Sequence, residues 1–258
     1  MKMHEGEVDV DADLVRRLLA DQFPRLAELP VEAVGSTGTV NAIYRLGHHL
    51  CARLPRVESW ARDLDKECQW LPKLAPRLSL QVPEPVAVGH PSSSYPFSWA
   101  IYRWIEGRSY ADDLIDDEHQ AAKDLAQFVV ELRQIDPIVG APRGGRKPLR
   151  ELDVVTRSAM LAARGVIDTD AAMAAWERAL ESPPWDGTPV WIHADLLRPD
   201  LRVQGGRLCA VIDFGSIAIG HPSAAVIAAW TAFTRPRRAT FRSTSATARN
   251  GALSQRPP

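Results

Sequence analysis

The spacing of hydrophobic and polar positions changes twice along the chain. In residues 11–28, Leu14, Leu18 and Leu19 recur at helical spacing behind an acidic start, which predicts a helix packed on the segment that follows. From 31 to 55, apolar and polar residues alternate between glycine-containing turns, a pattern typical of strands joined by hairpins. A helical spacing returns over 59–74. This part of the chain therefore predicts a small sheet that carries one long helix.

Two further apolar segments end this first part of the chain, VAVGH among prolines and FSWAIYRWIEG, which becomes polar at its end. Beyond that end the apolar residues follow a helical spacing, as in DEHQAAKDLAQFVVELRQI. We therefore expect two lobes joined by a short link. The expected division is an N-terminal lobe at 1–103, a hinge at 104–107, a C-terminal lobe at 108–233 and an irregular basic tail at 234–258; the motifs described next predict that the first lobe binds nucleotide and the second is catalytic.

The stretch VWIHADLLRPDLRVQGGRLCAVIDFG presents acids at strand ends and in the loop between two strands. A single Asp in a loop is most often a turn or cap residue, but the ordered set fits phosphoryl transfer. Asp195 is then the candidate base, and Asp200 and Asp213 are candidate Mg²⁺ ligands. His193 is expected to brace the loop. A two-metal hydrolase could use the same carboxylates, but it leaves the upstream features unexplained.

The upstream features would form the nucleotide side of such a site. Arg53 ends a predicted strand and Glu67 lies on the predicted helix that follows. A basic residue on a strand that faces an acid on the next helix positions nucleotide phosphates in kinases. Taken alone, these two residues could equally form an exposed ion pair of little energetic value.

Backbone groups supply the other candidate nucleotide contacts. A hairpin with a small polar tip can lay its N–H groups over phosphates, although most such tips are only turns. The polar link after the last apolar strand could hydrogen-bond adenine. The candidates are Ser36, Thr37, Gly38 and Thr39 in the hairpin tip and Arg103, Trp104 and Ile105 in the link.

Composition limits the partners and the compartment. With 45% hydrophobic and 24% charged residues and a net charge of −1, the chain gives no electrostatic reason to expect a nucleic-acid or membrane partner. The three cysteines are scattered and lack metal-ligand spacing, and the N-terminus is too polar for a signal peptide. We therefore expect a cytoplasmic protein. The oligomeric state is left open.

The run HADLLRPD…VIDFG resembles the catalytic loop and metal segment of the aminoglycoside phosphotransferase family. STGTVNAIYRLG is similar to its nucleotide-covering hairpin, LCARLPR to its third strand, and KECQWLPKLAP to the helix that carries the paired Glu. The resemblance implies an α+β, protein-kinase-like two-lobe fold, with a small antiparallel sheet lobe and a larger, mainly helical lobe. It also implies ATP (with GTP as the alternative nucleotide), Mg²⁺ and transfer of the γ-phosphate to a hydroxyl of a small molecule.

An aminoglycoside-type antibiotic is the acceptor that the resemblance favours. A choline, sugar or macrolide kinase and a non-catalytic, degraded homologue that binds nucleotide are the alternatives. The sequence departs from the family pattern at three positions, with Ala194 for the usual Gly, Asp200 for the usual Asn and Ala225 for a supporting Asp. Ala194 is strained if its backbone requires a positive φ, and Ala225 puts the packing of the large lobe in doubt.

The C-terminal region is unusual in composition. No Asp or Glu follows Asp213, while arginines accumulate without an apolar stripe. We therefore expect 234–258 to be a largely disordered, truncated or frameshifted remnant. A basic surface arm is the alternative.

Overall fold

The computed structural model describes residues 6–35, 40–145, 147–182 and 187–253. The N-terminal lobe is a five-stranded antiparallel sheet with strand order β1-β2-β3-β5-β4. Its strands are β1 (Val31–Ala33), β2 (Asn41–Leu46), β3 (Leu50–Pro55), β4 (Pro85–Gly89) and β5 (Trp99–Arg103). Helix α1 (Ala12–Gln22) precedes the sheet and α2 (Glu58–Leu74) follows β3.

Helix α1 forms where its apolar spacing predicts. The carboxylate of Asp11 accepts a hydrogen bond from the backbone N–H of Leu14 at 2.7 Å and so caps the first turn. Leu18 and Leu19 are fully buried against the sheet, in the same apolar cluster as Trp99. The prediction of a helix packed on the first lobe is confirmed.

Helix α2 belongs to both lobes. Leu64 packs with Tyr102 of β5, whereas Trp70, Leu71 and Leu74 at the other end are buried in the core of the large lobe. The ring of Trp70 lies 5.4 Å from that of Trp191, centroid to centroid. One helix therefore fixes the small sheet onto the large lobe.

Within the described ranges, the large lobe combines five helices with two small antiparallel sheets, β6-β8-β9 and β10-β7. The helices are α3 (Glu118–Gln134), α4 (Asp153–Ala162), α5 (Thr169–Leu180), α6 (Ile227–Ala232) and α7 (Arg235–Leu253). The strands are β6 (Arg108–Ser109), β7 (Val190–Ile192), β8 (Leu201–Gln204), β9 (Arg207–Val211) and β10 (Ala218–Gly220). The expected α+β fold with a small sheet lobe and a larger, mainly helical lobe is confirmed.

Two local features orient the strands that reach the site. Gly205 and Gly206, with φ of +55° and +74°, form the two-residue turn between β8 and β9, a turn that requires positive φ at both positions. Gln81 donates from its N–H to the Cys209 carbonyl at 3.0 Å and accepts from the Val211 N–H at 2.9 Å. The chain before the predicted hinge is thereby paired with the strand that leads to Asp213.

The prediction of an irregular tail over 234–258 is wrong for most of that segment, because Arg235–Leu253 forms helix α7. Phe241 is fully buried and packs with Phe233 in the core of the large lobe. The Thr234 N–H donates to Glu118 of α3 at 2.7 Å. The helical face is hard to recognise in the sequence because Phe241 is followed on it by a buried serine, Ser245.

The substitution at Ala225 does not disrupt the large lobe. Ala225 is 3% exposed within the main apolar core, in a short 3₁₀ turn, Pro222–Val226. The Nδ1 atom of His221 accepts from the Ser223 N–H at 3.0 Å and caps this turn.

Among the described residues, none of the helices has the length and apolar character needed to cross a membrane.

Candidate active site

Strands β7 and β9 deliver His193 and Asp213 to one place. His193 follows β7 directly, and its Nε2 donates to the carbonyl of Ile212 at 3.0 Å. Its ring lies 4.5 Å from that of Phe214, centroid to centroid. Burial lowers the pKa of His193, so its ring is neutral at pH 7. The geometry is that of a brace between the two segments, as the sequence indicated.

Two residues of the site adopt the left-handed backbone conformation that favours glycine. Ala194 has a φ of +67° and Asp213 a φ of +64°, and each costs about 1–2 kcal/mol relative to glycine. Ala194 was expected to be strained if its backbone had a positive φ, and it does. Such strain persists where the surroundings fix the backbone, and here it lies beside the candidate base.

Asp195, the candidate base, is exposed and lines a cleft of about 400 Å³. Lys66 of α2, Arg143 from the segment between α3 and α4, and Ser216 also face this cleft. An acceptor hydroxyl would have room to approach Asp195 from here. The role of Asp195 as a general base stays a prediction.

Asp200 lies in a 3₁₀ turn between the catalytic loop and β8. Its Oδ2 accepts from the Leu197 N–H at 2.8 Å. Burial raises the pKa of Asp200 to about 7 against the lowering effect of that hydrogen bond, and the charges of Asp213 and Asp195 add to the rise. These carboxylates therefore repel one another, and a cation would relieve the repulsion.

Arg53 joins the two lobes at the site. Its Nη1 donates to Oε2 of Glu67 at 2.6 Å, and its Nη2 donates to Oδ1 of Asp213 at 3.1 Å. With the amide of Asn41 oriented so that its oxygen faces the guanidinium, that oxygen accepts from Nε and Nη2 at 3.0 Å each. The strand residue, the helix residue and the candidate metal ligand thus meet at one guanidinium.

The pair of Arg53 and Glu67 is buried, with side chains that are 14% and 0% exposed. Burial raises the pKa of Glu67 and Arg53 opposes that rise. Against the lowering effect of burial, the Glu67 carboxylate raises the pKa of Arg53. The 2.6 Å contact is that of a charged pair. The alternative of an exposed ion pair therefore does not apply.

The three link residues differ in what they can offer a nucleotide. The Arg103 N–H donates to the Glu84 carbonyl at 2.9 Å, and the Trp104 N–H donates to the His49 carbonyl at 2.8 Å. These two donors are therefore already engaged within the N-terminal lobe. Ile105 stays the candidate donor for an adenine ring, and all three residues stay predicted nucleotide contacts through their other groups.

The predicted phosphate-covering tip, Ser36, Thr37, Gly38 and Thr39, lies outside the described residues. The chain on either side of it is paired. The Val34 N–H donates to the Ile43 carbonyl at 2.9 Å, and the Arg56 N–H donates to the Val40 carbonyl at 3.2 Å. Whatever contacts the tip makes stay predictions.

Three acids near the start of α3 are engaged within the protein, and none of them lines the cleft. Asp112 binds Arg198 at 2.7 Å, Asp117 caps α3 through the His119 N–H at 2.8 Å, and Glu118 binds Thr234. Asp117 thus caps the helix, while Asp112 and Glu118 bind residues that are distant in the sequence.

Sequence reasoning missed three residues of the site, Asn41, Lys66 and Arg143. Asn41 begins β2, next to the hairpin tip, and only its pairing opposite β3 brings it to Arg53. Lys66 immediately precedes Glu67, so its neighbour could have drawn attention to it. Arg143 lies in a segment that reads as a surface loop. No pattern in the sequence connects it with Asp195.

The donor set can be tested against Mg²⁺. Among the described residues no group of three or more His, Cys, Asp or Glu side chains could hold a metal ion. The two carboxylates of Asp200 and Asp213 suit Mg²⁺, which is typically held by one or two carboxylates together with substrate phosphates. Burial raises the pKa of Asp200 and the charge of Asp213 adds to that rise, and a bound cation would offset both effects. The residues present therefore fit the ion.

Solved structures similar to this chain include three small-molecule phosphotransferases. The GDP complex of wild-type aminoglycoside 2'-phosphotransferase-IIIa is 21% identical, with a TM-score of 0.74, over 92% of this chain and 83% of that chain. The streptomycin–ATP–APH(2")-IIa ternary complex is 17% identical, with a TM-score of 0.65, over 95% and 85%. Macrolide 2'-phosphotransferase MphH from Brachybacterium faecium, an apoenzyme structure, is 20% identical, with a TM-score of 0.65, over 92% and 83%.

These likenesses establish the fold, and the family follows from the sequence. A search of curated protein sequences gave no significant match. The model of the phosphotransferase enzyme family matches residues 34–256, which span the Arg53 network, the catalytic loop and helix α7. The chain therefore belongs to the phosphotransferase enzyme family.

Proposed function

We propose that this protein transfers the γ-phosphoryl group of ATP to a hydroxyl of a small molecule. The observation that carries the proposal is the junction at Arg53, which binds Glu67 of α2 and Asp213 of the other lobe. In kinases, nucleotide phosphates are held by a positively charged strand residue that pairs with an acid on the neighbouring helix, beside an Asp that binds the metal. A hydrolase with two metals gives no reason for this junction.

The residues of the site divide the reaction between them. Asp195 accepts the proton of the acceptor hydroxyl as its oxygen attacks the γ-phosphorus, and the bond to the bridging oxygen of ADP breaks. Arg53, which Glu67 keeps in position, would place its positive charge beside the negatively charged phosphates. His193 keeps the catalytic loop attached to the Asp213 segment through its 3.0 Å hydrogen bond.

Asp200 and Asp213 would hold Mg²⁺. When bound, the ion neutralises negative charge on the phosphates. Because Asp213 also binds Arg53 at 3.1 Å, its carboxylate would connect the nucleotide side to the metal side. Asp200 keeps its orientation through the Leu197 N–H.

The choice of acceptor and of nucleotide is supported by similarity to solved structures of other phosphotransferases. Aminoglycosides are the first acceptors to test, since similar structures include complexes with kanamycin and streptomycin. A macrolide, sugar or choline acceptor is the alternative within the same reaction, and the similarity to a macrolide phosphotransferase supports the first of these. ATP is the proposed donor, with GTP second because similar structures include GDP complexes.

We infer a cytoplasmic location from the chemistry. ATP is a cytoplasmic substrate, and Cys51, Cys68 and Cys209 are free thiols, as a reducing compartment requires.

The test is ATP consumption by the purified protein with and without each acceptor. We expect acceptor-dependent turnover in the wild type and its loss, by a factor of about 10² or more, in Asp195→Ala. Asp113→Ala, which removes an exposed acid outside the cleft, serves as the matched control and should leave turnover unchanged.

Nucleotide binding is measured separately, by the rise in melting temperature with ATP and Mg²⁺. A rise without any acceptor-dependent turnover would support the non-catalytic homologue instead. If Asp195→Ala keeps full turnover, the assignment of the base is wrong.

A further inference from the structure

The cleft beside Asp195 has a basic wall. Lys66 and Arg143 both line it, and among the described lining residues Asp195 is the only acid. The charge of Lys66 is balanced by Asp63, one helical turn away at 2.8 Å. Arg143 forms no ion pair with a carboxylate of any described residue. Within the part of the chain that the structure describes, Arg143 is therefore a cation of this cleft without a carboxylate partner.

The position of Arg143 is fixed by the fold. The Ile219 N–H donates to the Pro142 carbonyl at 2.7 Å, and the Gly144 N–H donates to the Ile219 carbonyl at 3.2 Å. Ile219 lies on β10, which pairs with β7, the strand that leads into the catalytic loop. Two hydrogen bonds and one strand pair therefore connect Arg143 with Asp195.

This connection depends on a close contact between two backbones. A Cβ atom at Gly220 would collide with the carbonyl oxygen of Gly144, so a side chain at position 220 would push the Arg143 segment off β10. The absence of a side chain there allows the segment to lie directly on the strand. Arg143 is accordingly held on ordered backbone, although its side chain is exposed.

Arg143 also borders a second, smaller cleft of about 240 Å³. Its walls are largely apolar, with Ile138, Ala141 and Ile219 among the lining residues. The guanidinium is thus available where a polar cleft and an apolar one meet. This arrangement suits a ligand that carries a charged group between a hydroxylated part and a less polar part.

A guanidinium binds carboxylate and phosphate groups through a planar pair of N–H donors. It repels ammonium groups, which are the charges of an aminoglycoside. We propose that Arg143 forms the acceptor side of the site and selects a hydroxyl compound that carries an oxyanion, either a carboxylate or a phosphate. This inference rests on the proposed phosphotransferase function and narrows its acceptor.

The oxyanion could come from two sources, the acceptor or the γ-phosphate of the nucleotide. The experiment separates them by comparing acceptors that differ only in charge. ATP consumption is measured with gluconate against glucose, with glycerate against glycerol, and with kanamycin as a polycation, all at constant ionic strength. We expect the anionic member of at least one pair to exceed its neutral partner tenfold or more in kcat/KM, and to exceed kanamycin.

Variants at Arg143 provide the second arm. Arg143→Gln should abolish the preference for the anionic acceptor, and Arg143→Glu should reverse it, while the KM for ATP stays within twofold. Lys147→Gln, which removes an exposed cation from the same segment, is the matched control and should keep the preference.

Three results would overturn the inference. In the first, neither anionic acceptor exceeds its neutral partner, or kanamycin is the best of the five. In the second, the Arg143 variants raise the KM for ATP and slow all acceptors equally, which assigns the guanidinium to the nucleotide. In the third, no acceptor of any charge increases ATP consumption although ATP and Mg²⁺ raise the melting temperature. In that case the proposed function fails as well.

Discussion

The guanidinium of Arg53 serves three acceptors at once, on Glu67, Asp213 and Asn41. Arg53→Lys keeps the positive charge but loses the planar fork. A single ammonium cannot replace all these hydrogen bonds, so we expect the free energy of unfolding to fall by about 1–2 kcal/mol. Urea unfolding measures the change. Arg16→Lys, in an exposed pair with Asp13, is the control, and an equal loss there would contradict the argument.

Ala194 offers a stabilising substitution. Ala194→Gly stabilises the folded state by about 1–2 kcal/mol because it relieves the left-handed strain. It also makes the unfolded chain more flexible, which opposes folding by about 0.4–1 kcal/mol. We expect a net gain of up to about 1.5 kcal/mol in the free energy of unfolding, measured by urea unfolding.

Ala218→Gly is the matched control for this substitution, because Ala218 is equally small and buried but lies in strand β10. It should lose roughly 0.5–1 kcal/mol. A loss of the same size at Ala194 would show that its positive φ is not strained.

The raised pKa of Asp200 predicts a dependence of stability on pH. Its folded-state pKa of about 7 lies above the ordinary value of 3.8. The stability linked to this carboxyl is therefore fully present below the ordinary value and is lost as the pH rises through about 7. Asp200→Asn removes that loss. In metal-free buffer we expect the variant to exceed the wild type at pH 8 by at least about 1 kcal/mol.

The measurement for Asp200 is urea unfolding in EDTA from pH 4 to pH 8, over which the difference between variant and wild type should grow. Asp113→Asn, at an exposed acid, should give a constant difference. A flat difference for Asp200→Asn would mean that the carboxyl is not held in its protonated form by the fold.

Among the elements, α7 makes the sharpest prediction. Phe241 is the large, fully buried side chain of this helix, so Phe241→Ala should cost about 3–5 kcal/mol. Limited proteolysis should then cleave near Arg235–Leu253 before the rest of the protein. Arg242→Ala, on the exposed neighbouring position, should change stability by less than about 0.5 kcal/mol.

The sequence predicts elements well where their apolar spacing is regular. Helices α1, α2 and α3 and the strands that deliver Arg53 and Asp213 lie close to the predicted ranges, because burial on one face imposes a period on the sequence. Helix α7 was missed because a serine, Ser245, completes its buried face. Asn41 and Arg143 were missed because only strand pairing brings them to the site, and no local pattern carries that information.

At the scale of the whole molecule, the two lobes share a core. Trp70 is 3% exposed and packs on Trp191 of the large lobe. We therefore expect one cooperative unfolding transition, observed at the same urea concentration by fluorescence and by circular dichroism. Trp70→Ala should lower the stability of both lobes together, by about 3–5 kcal/mol.

Trp230→Ala is the control for Trp70→Ala, because Trp230 is 49% exposed, and it should have a small effect. Two separate transitions in either protein would contradict a shared core.

Because α2 packs against both lobes, it also limits where two related proteins can be joined to make a chimera. The predicted hinge lies at 104–107, but the core of the large lobe already contains Trp70, Leu71 and Leu74 from before it. A chimera joined at the hinge would therefore combine an α2 from one parent with a packing partner from the other. Exchanges of the small sheet should succeed only when the last turns of α2 are kept with the large lobe, or when Trp191 is exchanged with them.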